Sequence, residues 1–241
     1  MATKTVAFLG ASTGVGHAAL TGTLAAGHNC IALCRRPSKL TDKLPQSEFP
    51  NLQVIEGNAH DGDAVGRLIT AKNGRLVDQI VFTIGGAFDF WRFTIDDPEV
   101  CRNGMSTLLA AIDRARNSGS LGKPHILVCS TTGISKFGRD VPLLMVPLYH
   151  ILLKVPHADK EIMESRLWDS GENFTIVRAS LLTDGDSETP IRVGIEDPKT
   201  GRESSAIGYT ISREDAGKWI ANNVVLEPNS VYLNKIAMIT Y

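Results

Sequence analysis

The chain has 241 residues, about the length of one large domain. Its 43% hydrophobic and 21% charged residues exclude intrinsic disorder and predict a sizeable core. Because 25 basic and 26 acidic residues nearly cancel, no global field is available to hold nucleic acid or an anionic membrane, and a small molecule is the expected partner.

The chain begins with a short polar stretch that leads directly into an apolar run, with no secretory leader, so we expect a cytoplasmic protein. The longest apolar stretch, 141–156, is interrupted by prolines, His150 and Lys154, and is too short to be a transmembrane helix. The four cysteines lack metal-binding or disulfide spacing and are predicted to be reduced core thiols.

Apolar runs and helical stretches alternate along most of the chain. The predicted strands are 6–9, 29–34, 51–56, 79–84, 125–130 and 174–178, followed by a last apolar run, 235–240. The predicted helices are 17–26, 61–72, 98–117, 157–170 and 212–225. Residues 183–205 are polar and rich in glycine and proline, and are predicted to be loops.

Strands that are apolar along their whole length are typical of a parallel sheet covered on both faces. The alternation therefore predicts an α/β fold, a Rossmann-like doubly wound parallel sheet in a single domain, 1–241. Residues 1–182 would form the nucleotide-binding core, and 183–241 the substrate-side loops, a helix and the last strand. The substrate pocket is expected in the loops at the carboxyl edge of the strands.

The turn after the first strand has the spacing G-x-x-x-G-x-G, formed by Gly10, Ala11, Ser12, Thr13, Gly14, Val15 and Gly16. Between a strand and a helix, such glycines permit a tight turn, close approach of a pyrophosphate and helix-strand packing, while the helix N-terminus offers free N–H groups. The hydroxyls of Ser12 and Thr13 are further donors. A dinucleotide site is predicted; the alternative is a glycine-rich turn that serves backbone geometry alone.

Arg35 and Arg36 follow the second strand, where an NAD site would carry an acidic residue for the ribose. Two guanidinium groups would pair with a 2′-phosphate, so NADP(H) is the predicted cofactor; a solvated basic strand end is the alternative. Residues after the third and fourth strands are expected to contact the cofactor as well: Asn58, Ala59, Ile84, Gly85 and Gly86.

The chain resembles the short-chain dehydrogenase/reductase superfamily, in particular its atypical NmrA-like and biliverdin-reductase-B-like branch. The resemblance covers nearly the whole chain and is carried by the segments 10–16, 35–36, 128–133, 160–164, 170–178 and 211–216. It implies a Rossmann core that carries NADP(H), with the substrate held over the nicotinamide by the loops after the fourth, fifth and sixth strands.

In that superfamily a Tyr four residues before a Lys acts as the acid, and a Ser on the fifth strand orients the carbonyl. Ser130 and Lys160 match this pattern, and the resemblance implies that both also contact the cofactor. Pro156 stands where the Tyr is expected. The alternatives for Ser130 and Lys160 are a turn-capping serine and a solvated lysine.

Two other residues are candidates for the missing proton donor. Tyr149 is the nearest phenol upstream, where a loop fold-back would bring it over the nicotinamide; the alternative is a packing role in its apolar segment. His157 is the second candidate, because a histidine can serve as a proton source near neutral pH, but a histidine at a helix start is also typical of a surface position. The other histidines have no ligand spacing, so no metal is predicted.

Two apolar segments follow the fourth and fifth strands and are predicted to line a pocket for a bulky apolar or aromatic substrate; core packing or a dimer surface are the alternatives. These segments contain Phe88, Phe90, Trp91, Phe93, Leu143, Leu144, Met145, Leu148 and Tyr149. The candidate substrate-binding residues are Phe88, Trp91, Thr132, Tyr149, Ser180 and Leu182.

The sequence therefore predicts an NADPH-dependent oxidoreductase that transfers hydride to a carbonyl, enone, quinone or flavin. The proton would come from solvent, from Tyr149, or from Ser130 through water. Two alternatives remain open: a non-catalytic NmrA-like sensor that binds NADP(H), and a non-redox isomerase or cyclase on the same fold. The chain is expected to be a monomer or a homodimer.

Overall fold

A nine-stranded, mostly parallel sheet forms the centre of the computed structural model, which describes residues 2–86, 88–89, 94–151, 153–227 and 230–241. The strands are β1 Thr5–Leu9, β2 Asn29–Cys34, β3 Leu52–Glu56, β4 Gln79–Phe82, β5 Phe88–Asp89, β6 Thr94–Ile95, β7 His125–Thr131, β8 Asn173–Ala179, β9 Leu181–Thr183, β10 Arg192–Asp197, β11 Gly201–Arg202, β12 Thr210–Ser212 and β13 Lys235–Thr240. The helices are α1 Gly14–Ala25, α2 Ser38–Thr41, α3 Gly62–Ile69, α4 Val100–Asn117, α5 Val146–Ile151, α6 Lys154–Asp169 and α7 Arg213–Ile220.

The strand order is β11-β10-β13-β8-β7-β4-β1-β2-β3, with β10 antiparallel to both of its neighbours. From β1 the chain winds outward through β2 to β3, then returns to β4 on the other side of β1 and winds outward through β7 to β8. The doubly wound, Rossmann-like fold predicted from the sequence is confirmed. Its winding direction reverses between β1 and β4, and in such sheets ligands bind at that point.

Both faces of the sheet are covered, which explains the continuously apolar strands. In β1, Val6 and Phe8 pack against α1 and α7, while Ala7 and Leu9 pack against α3, α4 and α6. Because successive side chains of a strand point to opposite faces, every position of a two-sided strand must be apolar. The four cysteines are buried and unbridged, and Cys30, Cys101 and Cys129 lie within these cores.

The prediction that 183–205 consists of loops was wrong, because this segment contains β10 and β11. In β10 the fully buried positions are Gly194 and Glu196 rather than large apolar residues. The strand is held by its antiparallel register with β13, in which Glu196 lies opposite Ile236. Since β10, β11 and β13 belong to the central sheet, 183–241 completes the same domain.

Three helix starts differ from prediction by two residues or more, and the first of them is that of α1, which begins at Gly14 rather than at residue 17. Helix α4 begins at Val100 rather than at residue 98, and its cap comes from α6, where the Asp159 carboxylate accepts N–H bonds from Cys101 at 2.9 Å and Arg102 at 3.0 Å. Helix α6 begins at Lys154, three residues earlier than predicted. Pro156 lies in its first turn, where the missing N–H costs no helical hydrogen bond.

The apolar stretch 141–156 forms a 3₁₀ turn, Leu143–Met145, the short helix α5 and the start of α6. None of the helices in the described parts of the chain has the length and apolar character that crossing a membrane requires.

Candidate active site

A cleft of about 660 Å³ opens at the carboxyl edge of β1, β2, β3 and β4, where the winding of the sheet reverses. Ten of the residues predicted to bind the cofactor line it: Gly10, Ser12, Thr13, Arg35, Arg36, Asn58, Ala59, Ile84, Gly85 and Gly86. The fold therefore brings together the glycine turn, the arginine pair and the ends of β3 and β4.

The glycine turn is pressed against the end of β4. A Cβ on Gly10, which has φ +94°, would lie 2.8 Å from the carbonyl of Thr83, and a Cβ on Gly16 would lie 2.5 Å from the Gly10 oxygen. No side chain fits at either position. Thr13 makes no capping side-chain hydrogen bond within the described chain, so the first-turn N–H groups of α1 remain for a ligand. This cradle fits the pyrophosphate of a dinucleotide.

The end of the cleft next to the end of β2 is strongly basic. Arg35 and Arg36 are exposed on the chain that leaves β2, and Lys39 of α2, which the sequence analysis did not single out, joins them in the lining. Asn58 is also exposed there, and its side-chain oxygen accepts the N–H of His60 at 3.2 Å. This end has the charge that a phosphorylated ribose requires.

The ends of β7 and β8 carry a second group of polar side chains, outside the cleft lining. Ser130 lies opposite Arg178 in the β7–β8 register, and alternation places it on the face covered by α6. The hydroxyls of Ser130 and Ser180 are buried and make no hydrogen bond to the described residues. Lys160 of α6 donates from Nζ to the carbonyl of Cys129 at 3.0 Å, next to Ser130. The hydroxyl of Thr132, just past the end of β7, is likewise buried without a hydrogen bond to the described residues, so three hydroxyl groups at this edge are available to a ligand.

The rings of Tyr149 and His157 pack against each other on the loop that follows β7. Their rings are 5.4 Å apart and tilted by 54°. Both pack on Gly133, which has φ +91° and whose Cβ would lie 2.9 Å from Cε1 of His157 and closer still to the Tyr149 ring. Burial raises the pKa of Tyr149, although its hydroxyl approaches the Thr132 side chain and the Leu181 backbone. The phenol is therefore a neutral hydroxyl at physiological pH.

Two expectations about these residues need correction. Tyr149 lies on helix α5, not on a folded-back loop, and His157 is buried rather than at the surface. Leu182 was predicted to bind substrate, but it packs against the core between the sheet and helices α1 and α7, on the face opposite to Ser130.

Parts of the predicted apolar pocket lie outside the described residues: Phe90, Trp91 and Phe93. For Phe88 the backbone is described, in β5. On the other side, Leu143 and Leu144 are 73% and 81% exposed, so this apolar turn stands open to solvent near Tyr149. Within the described ranges, no cluster of three His, Cys, Asp or Glu residues could hold a metal ion.

Arg178, which lies opposite Ser130 in the β7–β8 register, is the centre of a buried ionic network that the sequence did not predict. Arg178 donates to Glu164 from Nε at 3.1 Å and from Nη2 at 2.7 Å, and to Glu196 from Nη1 at 2.9 Å. Ser135, in the loop after β7, donates its hydroxyl to Glu196, and Arg202 donates to Ser135 at 3.1 Å. The network ties the loop that contains Gly133 to α6, β8, β10 and β11.

Asp140 closes that loop on itself. Its carboxylate accepts the N–H groups of Gly133 at 2.9 Å and Ser135 at 3.3 Å. The positions of Gly133 and of the Tyr149 and His157 rings packed on it therefore depend on buried charges that lie far apart in sequence. No local pattern signals these pairs.

Residues 10–225 match a family described as NAD(P)H-binding. The chain is 40% identical to "Reductase pytE" of Aspergillus terreus, with 98% of each chain covered, and 34% identical to "Oxidase pynE" of Aspergillus niger, with 94% of each covered. A short-chain dehydrogenase/reductase from Veillonella parvula, solved in complex with NADP, superposes with a TM-score of 0.73 at 16% identity, covering 100% of this chain and 95% of that one. ChuY, an anaerobilin reductase from Escherichia coli, superposes with a TM-score of 0.66 at 19% identity over 98% and 96% of the two chains.

Proposed function

We propose, from the premise that this chain belongs to the NAD(P)H-binding family, that it is an NADPH-dependent reductase acting on a bulky apolar or aromatic carbonyl, enone, quinone or flavin. The choice of NADPH over NADH rests on one observation: Arg35, Arg36 and Lys39 lie together at one end of the cleft. Three cations there would stabilise a 2′-phosphate, and the chain has no acid at the end of β2 to bind a free ribose hydroxyl.

The cradle formed by Gly10, Gly14 and Gly16 would hold the pyrophosphate, with the hydroxyls of Ser12 and Thr13 as further donors. Val15, in the first turn of α1, would contribute its backbone N–H. When bound, the nicotinamide supplies a hydride. The remaining steps depend on side chains at the ends of β7 and β8.

Ser130 and Ser180 have the free hydroxyls that a substrate oxygen needs, and we assign them its orientation. Lys160 uses one of its three N–H groups on the Cys129 carbonyl, which fixes the ammonium beside Ser130 and leaves donors for the cofactor ribose. Together these groups would fix the substrate oxygen so that its carbon receives the hydride.

The reduced oxygen must also receive a proton. Pro156 has none to give, so we assign the proton to Tyr149, which burial keeps neutral and whose hydroxyl reaches the Thr132 side chain. Water bridging Ser130 to solvent is the other route. In either case the substrate gains one hydride from the nicotinamide and one proton: a carbonyl would take them at carbon and oxygen, and a flavin at two ring nitrogens. On the first route the Tyr149 phenolate would be reprotonated from solvent.

The apolar substrate class rests on the open turn at Leu143 and Leu144 and on the buried ring of Tyr149 behind it. The two curated relatives are named a reductase and an oxidase, so the names support redox chemistry in either direction. We propose reduction.

The test is the loss of NADPH absorbance when the purified protein meets a panel of quinones, enones, aromatic ketones and oxidised flavin, with NADH in parallel. We expect turnover with NADPH on at least one acceptor and much slower turnover with NADH. Tight NADPH binding without turnover on any acceptor would contradict the proposal and favour a sensor or a non-redox enzyme.

Two variants separate the roles. Replacing both Arg35 and Arg36 by Ala should weaken NADPH binding much more than NADH binding; equal losses would remove the pair from 2′-phosphate recognition. Ser130→Ala should lower kcat with little change in NADPH affinity, because the hydroxyl acts on the substrate oxygen. Unchanged kcat would remove Ser130 from the chemistry.

A further inference from the structure

A second groove, of about 680 Å³, lies on the other side of the glycine turn from the cofactor cleft. It is bounded by α1, by the start of α7 and by Asp184 and Gly185, which follow β9. Thr13 lines both the groove and the cleft, so the turn forms a thin wall between them. A charged side chain in the groove is therefore close to the place where the turn would hold a pyrophosphate.

Helix α7 is fixed against α1 with both N-termini at this end. A Cβ on Gly217 would lie 2.5 Å from Cβ of Ala18 and closer still to the Val15 carbonyl, so the two helices approach as closely as their backbones permit. This contact places Arg213, the first residue of α7, against Gly14. The ideal Cβ position of Gly14 lies 3.3 Å from Cδ of Arg213.

The partner of Arg213 is an exposed acid. Its Nη1 atom lies 2.6 Å from Oδ1 of Asp184, with the two side chains 40% and 92% exposed. Exposed ion pairs of this kind contribute little to stability. The other charged groups in the groove, Glu214 and Lys218, pair with each other at 3.5 Å, and Lys218 also pairs with Asp186. Arg213 is thus a cation beside the turn with an easily exchanged partner.

We propose that Arg213 binds the cofactor's pyrophosphate in exchange for Asp184. A guanidinium group matches phosphate oxygens bidentately, and the two parallel helix N-termini at this end favour the same negative charge. The exchange would release Asp184 alone, because the chain after it stays tied to α7 by the Asp186–Lys218 pair and by the Ser187 N–H, which donates to Asp215 at 3.0 Å. The proposal rests on the family's cofactor and not on the preference for NADPH.

The test is the dissociation constant of the unliganded protein for NADPH, NADH and 2′-AMP, measured by quenching of tryptophan fluorescence or by calorimetry. Arg213→Ala should raise the dissociation constants for NADPH and for NADH by the same factor. That factor should be about tenfold or more, as expected when one charge-assisted hydrogen bond is lost. The affinity for 2′-AMP, which has no pyrophosphate, should stay unchanged. Lys218→Ala is the matched control, because it removes an exposed cation of the same groove about one turn further along α7. It should change the dissociation constant of either dinucleotide less than twofold.

Asp184→Asn provides the opposite test, because it removes the acid that competes for Arg213. It should increase the affinity for both dinucleotides by about the same factor. Asp186→Asn, which disturbs the pair with Lys218, should not increase either affinity. The thermal unfolding midpoint of each variant verifies that it folds, and all of these residues are exposed enough for that to be expected.

Three results would overturn the proposal: equal losses of dinucleotide affinity in Arg213→Ala and Lys218→Ala, a loss of affinity in Arg213→Ala for NADPH alone, or an unchanged affinity in both Arg213→Ala and Asp184→Asn. Each of these leaves the proposed reductase intact as long as the wild-type protein turns over NADPH. Conversely, a protein that binds both dinucleotides through Arg213 but reduces no acceptor would contradict the proposed function alone.

Discussion

Replacing Arg178 by methionine should strongly destabilise the protein. The guanidinium group of Arg178 is 2% exposed, and its partners Glu164 and Glu196 are each 1% exposed. Burial alone would lower the pKa of Arg178, but the two glutamates and Asp140 raise it above its usual value. Methionine keeps much of the side-chain volume and removes the charge, so Glu164 loses its ion-pair partner and Glu196 keeps only Arg202, at 3.8 Å.

Removing one partner of a buried ion pair costs about 3 to 5 kcal/mol, because the other charge remains buried and uncompensated. For a chain of 150 to 250 residues each kcal/mol corresponds to roughly 2 to 4 °C, so the unfolding midpoint of Arg178→Met should fall by roughly 6 to 20 °C. Urea unfolding followed by circular dichroism at pH 7 measures the free energy directly.

The matched control is Arg114→Met, which removes an ion pair of similar length, 3.0 Å to Asp63, whose side chains are 62% and 83% exposed. Its cost should be about 0 to 1 kcal/mol. A loss no larger than that of Arg114→Met would refute the reasoning.

Three further outcomes follow from the packing and burial of particular residues. Gly133→Ala should cost several times more free energy of unfolding in urea than Gly171→Ala, because both have positive φ but only Gly133 is in close contact with a tyrosine ring; equal costs would contradict the assigned clash. Asp159→Asn should cost about 1 to 3 kcal/mol in the same assay through the two amides at the start of α4, and a loss below the error of the assay would show that this cap is dispensable. Burial raises the pKa of Cys30 and Cys101 to about 12, so neither thiol should react with iodoacetamide at pH 8 until urea unfolds the protein; labelling of either in the folded state, located by mass spectrometry, would contradict their burial.

The sheet could be predicted because burial on two faces leaves a local signature. Every residue of β4, Gln79–Phe82, is buried, and three of its four residues are large and apolar. The cleft at the carboxyl edge of the sheet could be predicted for a related reason. The glycine turn and Arg35 occupy fixed places relative to β1 and β2, so their positions in sequence determine their positions at the sheet edge.

The strand β10 and the ionic network could not be predicted, for a common physical reason. In sequence, Glu196 reads as a solvent-facing charge in a polar loop, yet it is buried because Arg178, 18 residues earlier, neutralises it. A buried charge is tolerated only with its partner, and that partner is set by the antiparallel register of β10 with β13. Charge patterns along the chain indicate which residues could pair, but not which ones do.

The fold alters the chemistry that the motif implies at one position, Pro156, where the motif has a Tyr as the acid. In the superfamily a lysine activates a tyrosine one helical turn before it, whereas here Lys160 donates to the Cys129 carbonyl and Tyr149 reaches the same region from α5. Burial raises the pKa of Tyr149, where activation by a lysine would lower it. Tyr149 is therefore suited to donating a proton to an oxygen that already carries negative charge, and not to polarising a neutral carbonyl before hydride arrives. Acceptors that form a stabilised anion on reduction, such as quinones, flavins and enones, need the least help of this second kind, so we expect the proposed reductase to turn them over faster than simple ketones.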